Sequence, residues 1–507
     1  MQKSKICQTE NSYNSQHVDY YTAFTIISFF DRESIYDVMA TLKEVGVHKA
    51  AARLWFKLNQ NTEISVKTSA GVTDTAMVGD VIGQGTAGAA LVSQLNLDMG
   101  MKNYFSGSGD ELYYGDVRCE YFAYQDDIGK PCAGVNEAQA ANIKMQHLFQ
   151  EKGLDAHPDK TGFIVFGAPG YKENVDKQLE QNKLMLGNFP VRKKVSDKYL
   201  GQILHTEGAR ASAEATILDR QGKLKGAMFE VKSVVEDFKM QAIGGMMAAW
   251  ELWEKAMLPS LLSGAGTWVG ITEKEIEKCD KLQDMFWRVM LEVPESCPKV
   301  ALRAETRMIG MKHRIWEQKL LLTKQIKNLD PSYLSKRIYE EQRTNEWPGL
   351  VMEAKEICQE LEIPDVNVNI ISDRDIKRAV LEHHDRQLVE EVSKSKKMMK
   401  HKGDNFGTVQ DYMKGKSIQN CRMAFRIRCE LVKDIKGNFK DMYRKKGGEK
   451  ELLCEDCDSN TIQTQSHCME CPQWVELRRG LEMSKIEDVV VFFQQMLKER
   501  LRRKSGS

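Results

Sequence analysis

From residue 1 to about 206, short runs of β-branched and aromatic residues alternate with helical stretches and glycine-bearing turns, the pattern of an α+β domain. Near its start, Ile35 to Leu42 is spaced as a helix, and Asp31 of Asp31-Arg-Glu-Ser34 is expected as its N-cap. From about 207 to 340 the periodicity becomes helical. Thr272-Glu-Lys-Glu275 is a capping box, and Ile276, Cys279, Leu282, Met285, Phe286, Val289 and Met290 follow at helical spacing until Pro294 and Pro298 stop the run. From about 341 to 435 the chain is polar, helical and increasingly basic. The final stretch holds a cysteine and histidine cluster, then a helix opened by Ser484-Lys-Ile-Glu487. Its apolar positions are Val489, Phe492, Phe493, Met496 and Leu497, and it ends in Lys498, Arg500, Arg502, Arg503 and Lys504, where cations suit a helix C-terminus. No internal repeat is found.

Composition narrows the class. The chain has 507 residues, is 42% hydrophobic and 29% charged, and carries Gly 36 and Pro 11, which excludes a collagen, a low-complexity polymer or a mainly disordered chain. The most apolar stretch, Ala242 to Leu262, is broken by Glu251, Glu254 and Lys255, so no membrane span is expected. The N-terminus MQKSKICQTENSYNSQ lacks an apolar signal core, and the 12 cysteines then read as reduced thiols of a cytoplasmic or nuclear protein that is not secreted. Net charge is only +1, but Ser393 to Lys450 holds 17 Lys or Arg against 6 Asp or Glu, leaving −10 for the remainder. That segment is either a solvated helical face or a surface for a phosphate backbone.

Four short segments carry candidate chemistry. In Tyr121-Phe-Ala-Tyr-Gln-Asp-Asp-Ile128, aromatic and apolar residues lead to two adjacent carboxylates. A tight hairpin turn is where such a pair meets one metal-bearing cleft, although Asp-Asp is also ordinary turn chemistry. Upstream, Val81-Ile-Gly-Gln-Gly-Thr-Ala-Gly is a glycine-rich loop entering a helix of small residues, a place where a base pair or sugar approaches backbone closely. It fits neither a Walker loop nor a dinucleotide fingerprint. Downstream, Asp159-Lys-Thr-Gly-Phe-Ile-Val-Phe166 puts Lys160 just before a strand, and Lys198-Tyr-Leu-Gly201 is a short turn with a glycine.

In this order and spacing the four segments resemble the palm of a reverse transcriptase, most closely those of non-LTR, LINE-like retrotransposons. GQGT resembles the motif contacting template and nucleotide, YQDD the catalytic turn, DKTGFIVF the lysine-bearing motif and KYLG the primer grip. The resemblance continues through Leu258-Pro-Ser-Leu-Leu262 and the stretch from Phe286 to Arg314, and so covers most of the chain. It implies an RNA-directed DNA polymerase using Mg²⁺ or Mn²⁺, with RNA template, DNA primer and dNTPs as partners. By resemblance Asp126 is the principal metal ligand and Asp127 supports it. Gln84 and Gly85 touch nucleotide or template, Tyr124 precedes the carboxylates, and Lys160 neutralises or protonates pyrophosphate. Nothing in the sequence identifies a protein partner or a membrane.

The pattern departs from the family at the strand that opens the palm. Phe24-Thr-Ile-Ile-Ser-Phe-Phe-Asp31 keeps the last carboxylate of the D-x-x-x-[AYF]-F-D pattern, but Thr25 stands at the metal-ligand position. A neutral hydroxyl substitutes poorly for a carboxylate bridging two hard cations. Asp31 lies six residues on, about 20 Å along a strand. Phe30 sits where the family keeps an aromatic gate against a 2′-hydroxyl; core packing is the other reading. Only 24 residues precede Thr25 and 36 follow Cys471, so the fingers and any nuclease are expected to be missing and the chain to be a truncated fragment.

Cys454-x2-Cys457-x9-His467-x3-Cys471 has the ligand types and spacing of a structural tetrahedral Zn²⁺ site, with Cys468 competing with His467 as third ligand. CCHC knuckles follow the polymerase in many LINE-like proteins. Just upstream, Arg422, Arg426 and Arg428 flank Phe425, and Lys440, Tyr443, Arg444, Lys445 and Lys446 follow. Cations interleaved with aromatics suit single-stranded nucleic acid, the role expected of them; an amphipathic helix with Phe425 and Ile427 partly buried is the other reading. The expected organisation is α+β, with a polar segment over 1–24 and a palm, an antiparallel sheet with helices, over 25–206. A helical thumb or connection over 207–340, a basic helical region over 341–450 and a zinc knuckle with C-terminal helix over 451–507 complete it. Two further functions stay open: a catalytically inactive nucleic-acid-binding module, because Thr25 replaces the first catalytic Asp, and a decayed element with no selected role.

Overall fold

The computed structural model describes residues 20–27, 34–79, 88–106, 112–124, 127–237, 244–366, 371–395, 408–414, 416–432, 435, 452–457 and 459–505. The chain is helix-rich with small sheets and divides into two compact units. The first comprises residues 1–216, 268–270 and 326–352, and the second residues 217–267, 271–325 and 353–507.

The first unit is built on one sheet. Strand β1 (Tyr20–Ile27), YYTAFTII, is rich in the β-branched and aromatic residues that favour extended backbone. With β2 (Phe122–Tyr124), β3 (Asp127–Cys132), β4 (Asp155–Ala156), β5 (Gly162–Val165) and β6 (Arg192–Lys193) it forms a six-stranded sheet of order β6-β5-β1-β3-β2, β4 also pairing with β1. β1 is antiparallel to both neighbours, Tyr20 facing Cys132 on one side and Val165 on the other. The same register puts Thr25 opposite Asp127. Among the described residues only the β5–β6 pair is parallel.

Helices cover one face of this sheet. In α1 (Ile35–Glu44), the residue next to the first turn provides the cap: the Tyr36 N–H donates to Ser34 Oγ at 3.2 Å. Ser34 therefore takes the role expected of Asp31, which lies outside the described residues. Helices α2 (Ala89–Phe105) and α3 (Val135–Lys152) bring Leu97, Met101, Phe105, Ala138, Met145 and Leu148 onto Ile128, Cys132, Phe163 and Val165 of the strands. α3 ends at Gly153, whose φ of 65° places it in the left-handed region that glycine enters at no steric cost. Strand alternation sends Asp127 to the face opposite Ile128.

Among the described residues the second unit is helical apart from one isolated bridge, Leu453 to Ile462. Helix α4 (Gly245–Leu252) runs through a π-turn, Trp253–Met257, into α5 (Leu258–Leu262). The Leu258 N–H donates to the Trp253 carbonyl, five residues back. Pro259 explains the widening: it has no N–H, and its ring would clash with a carbonyl one α-turn earlier. The wide turn still buries Trp253 against Phe286, ring centroids 4.9 Å apart. Helix α6 (Glu273–Leu291) opens on the predicted capping box, Glu275 Oε2 accepting from the Thr272 N–H at 2.7 Å. It buries Ile276, Cys279, Leu282, Phe286 and Met290, while Met285 and Val289 are half-buried. Helices α7 (Lys299–Thr306), α8 (Met311–Lys327), Leu350–Glu360 and α9 (Asp373–Lys394) follow. A core of Leu320, Ala354, Ile357, Leu361, Ile376 and Val380 joins the last three. Helices α10 (Ile418–Arg428), α11 (Gln465–Glu470) and α12 (Ile486–Ser505) complete the unit.

Candidate functional site

In the first unit the expected site residues that the structure describes, Thr25, Tyr124, Asp127 and Lys160, fall at one end of the sheet. Tyr124 and Asp127 are paired across the β2–β3 hairpin; Asp126, between them in sequence, lies outside the described residues, as do Phe30, Gln84 and Gly85. Tyr124 is exposed and Asp127 half-buried. Lys160 is exposed in the turn before β5, and its carbonyl accepts from Lys194 Nζ at 2.6 Å. Lys194 also pairs with Asp197 at 2.9 Å, tying that turn to β7 (Ser196–Tyr199). β7 and β8 (Gln202–His205) form a hairpin around Leu200 and Gly201, both at positive φ (48° and 77°), as a two-residue turn requires. The KYLG segment is thus the hairpin tip. Burial, with the negative charge of Asp127 second, pushes the Tyr199 hydroxyl up to about 12, which marks Tyr199 as a neighbour of that carboxylate. This proximity has no signal in the sequence, because the two residues come near each other only through the tertiary fold.

Of the two carboxylates expected to hold a divalent cation here, Asp127 lies among the described residues; at the same end of the sheet Asp155 of β4, exposed, is paired with Ile27 of β1. Thr25, the cross-strand partner of Asp127, adds no charge to this end.

The second unit brings the cysteine cluster together. Ligand atoms of Cys454, Cys457, His467 and Cys471 all lie within 4.8 Å of one another. The loops are shaped by backbone bonds: the Cys454 N–H donates to the Thr461 carbonyl (2.9 Å) and the Gln463 N–H to the Leu452 carbonyl (2.8 Å). Thr464 caps α11, accepting from the His467 N–H at 3.0 Å, and so aims the imidazole at Cys457, Nε2 to Sγ 3.4 Å. Cys468 faces the other way, its Sγ 3.7 Å from an Arg500 nitrogen, so His467 supplies the third donor of the cluster. The Ser459 hydroxyl beside Cys457, 3.0 Å away, holds that thiol down to about 6, while burial pushes Cys471 up to about 12 and Cys468 to about 11. A tetrahedron of roughly 2.3 Å Zn–S bonds has edges of roughly 3.8 Å, so three sulfurs and one imidazole at this spacing fit a zinc ion with little movement.

One partner of the cluster had no sequence signal beyond its position. Asp456, inside the Cys-x-x-Cys loop, receives Arg500 of α12 through Nε at 3.0 Å and also through a second guanidinium nitrogen. The Trp474 indole and the Gln463 amide donate to the same carboxylate, each at 3.3 Å. Arg500, one of the cations that suit the C-terminus of that helix, is buried.

The structure places the arginines of α10 differently from the nucleic-acid face expected of them. Arg422, 1% exposed, donates to the Met290 carbonyl (2.8 Å) and pairs with Glu236 (2.5 Å) and Glu292 (3.1 Å). Arg426 donates to the Glu292 carbonyl at 2.9 Å. Arg428 holds both oxygens of the fully buried Glu305 at 2.7 and 2.9 Å, where Tyr412 also donates at 2.9 Å. These guanidinium groups are committed inside the unit. Lys440, Arg444, Lys445 and Lys446 lie outside the described residues.

A third cluster was not anticipated. His313 of α8 meets His383 of α9, Nε2 to Nδ1 3.0 Å, and His384 crosses it edge-on with centroids 5.1 Å apart. Burial and the like-charged neighbours His384 and His383 hold His313 down to about 3.

No protein-family model matches the chain, and no curated protein matches it. Solved structures of telomerase are similar to it in part. That from Candida albicans, in complex with a TWJ fragment of telomeric RNA, aligns at 11% identity and a TM-score of 0.28 over 67% of this chain and 51% of that one. That from Candida tropicalis, with the same kind of RNA fragment, aligns at 12% and 0.26 over the same shares. The chain therefore spans about half the length of each.

Proposed function

We propose that the sheet of the first unit is a reverse-transcriptase palm of the LINE-like type, in a chain that holds an RNA template and a DNA primer with the carboxylates of the Tyr124–Asp127 turn at their junction. The observation that carries this reading is the register of β1 with β3, which makes Thr25 the cross-strand partner of Asp127. Nucleotidyl transfer needs the opening strand and the carboxylate turn side by side, and that is the pairing found. When bound, Mg²⁺ or Mn²⁺ activates the primer 3′-hydroxyl and stabilises the leaving pyrophosphate of a dNTP. Asp126 and Asp127 would hold the metal, Lys160 would meet pyrophosphate, and Gln84, Gly85, Phe30 and Tyr124 would contact nucleotide or template.

The same register favours a second reading, a nucleic-acid-binding protein without polymerase activity, because the partner of Asp127 is a threonine. RNA-templated primer extension by the native chain, Thr25→Asp and Asp127→Asn separates the two. Extension by the native chain that Asp127→Asn abolishes supports the polymerase. Extension by Thr25→Asp alone supports the binding protein, and silence in all three with no salt-sensitive RNA affinity sinks both.

We also infer that Cys454, Cys457, His467 and Cys471 hold one structural Zn²⁺. The support is the convergence of four donors of suitable type, and four protein ligands leave no open position for catalysis.

A further inference from the structure

Both loops that carry the metal-ligand candidates end on a single buried arginine. The Cys-x-x-Cys loop reaches Arg500 through Asp456, whose side chain is 8% exposed. The His-x-x-x-Cys segment reaches it through Cys468, in contact with the guanidinium, and through Trp474, three residues after Cys471, whose indole donates to Asp456. Trp474 is itself 1% exposed and covered by Arg503 of the same helix, 4.7 Å above the ring. α12 in turn joins α10 through Gln494 and Asn420, which are hydrogen-bonded at 2.9 Å. Its face of Val489, Phe492, Phe493 and Met496 is buried.

The two loops have little structure of their own. One bridge of backbone pairing and a six-residue helix do not fix a carboxylate in place against the entropy of a free loop. A metal bonded to four of their residues does, because its binding free energy is folding free energy for such a segment. Asp456 lies between two ligands, so its position follows theirs. Once it is loose, Arg500 is left as a buried guanidinium without its counter-charge, and a buried charge that loses its partner is strongly unfavourable. Withdrawal of α12 is the relief.

From this geometry we propose that zinc in the Cys454–Cys457–His467–Cys471 cluster latches α12 onto the second unit, with the Asp456–Arg500 pair as the transmitting contact. The proposal rests on the zinc reading above. Metal status then decides whether the apolar face of α12 is covered or released.

The experiment is hydrogen exchange on the full chain, with zinc content measured on the same samples. In the native protein we expect one zinc per chain and protected amides over 486–505. Chelation should remove the zinc and speed exchange there at least about tenfold, with recovery on adding Zn²⁺ back. Asp456→Asn, close in volume and not itself a metal ligand, should keep its zinc yet exchange fast over 486–505 with or without it. Zinc bound and removed with no change over 486–505 would overturn the latch while leaving the metal site standing. Failure to take up zinc at all would overturn both. Chelation of the native chain alone decides the matter if Asp456→Asn does not fold.

Discussion

Helices α10 and α12 both carry a cluster of cations near their C-termini, yet their arginines lead different lives. On α10, Arg422, Arg426 and Arg428 turn inward to Glu236, Glu292 and Glu305, more than a hundred residues away in sequence. On α12, Arg502 and Arg503 stay outside, with side chains 80% and 45% exposed and, among the described residues, Glu499 of their own helix as their ion partner, at 3.7 Å each. Arg500, between them and the body of the helix, belongs with the first group. Local charge density is similar; what differs is whether the fold delivers a carboxylate to the face in question. A basic run therefore predicts a polyanion surface only after its internal acids are counted.

The largest effect should come from breaking the most enclosed pair. Arg428→Ala leaves the Glu305 carboxylate buried with Tyr412 as its remaining donor, and chemical denaturation should show a loss of about 3–5 kcal/mol. Replacing both partners, Arg428→Met with Glu305→Leu, should recover most of that loss, since two apolar groups leave nothing charged behind. If the single variant instead costs less than about 1 kcal/mol, in the range of exposed pairs, the contrast between the helices collapses.

Acid comes next. His313, His383 and His384 are all held below the ordinary imidazole value, with burial the leading cause each time. The unfolded chain takes up protons below pH ~6.5 that the folded chain refuses, so stability is level above that pH and falls as pH drops toward 3, by up to roughly 1.4 kcal/mol per pH unit for each imidazole kept neutral. His313→Gln should flatten part of that slope. An unchanged slope would mean other groups carry it. On the exposed side, Arg503→Ala should cost about 0.5–1 kcal/mol through its lost stacking on Trp474. Arg502→Ala should stay within about 0.5 kcal/mol. A larger effect from Arg502→Ala than from Arg428→Ala would invert the comparison.

Much of the local structure was legible in the sequence because it depends on near neighbours. Thr272 and Glu275 sit one turn apart, and the helical spacing from Ile276 to Met290 reports which face is buried. The four cysteine and histidine donors lie within eighteen residues, so short loops bring them together. The helix start at Ile35 was legible but its cap, Ser34, was not, because Asp31 is also a good cap and only backbone geometry distinguishes the residue next to the first turn. Asp456, Tyr199 and the acids facing α10 were not legible at all, since each meets its partner through tertiary packing that no local pattern encodes.

The π-turn at Trp253–Met257 has a consequence for what this part of the chain tolerates. A wide turn holds one residue more than an α-turn in the same place, so α5 keeps the phase it would have after a regular helix one residue shorter. In-frame loss of a single codon from the regular turns of α4 would instead rotate everything beyond by about 100° and swing Leu258, Leu261 and Leu262 away from the positions where they are buried. Substitutions among the exposed members, such as Lys255, leave that phase untouched. In this stretch it is the number of residues, more than their identity, on which selection would act.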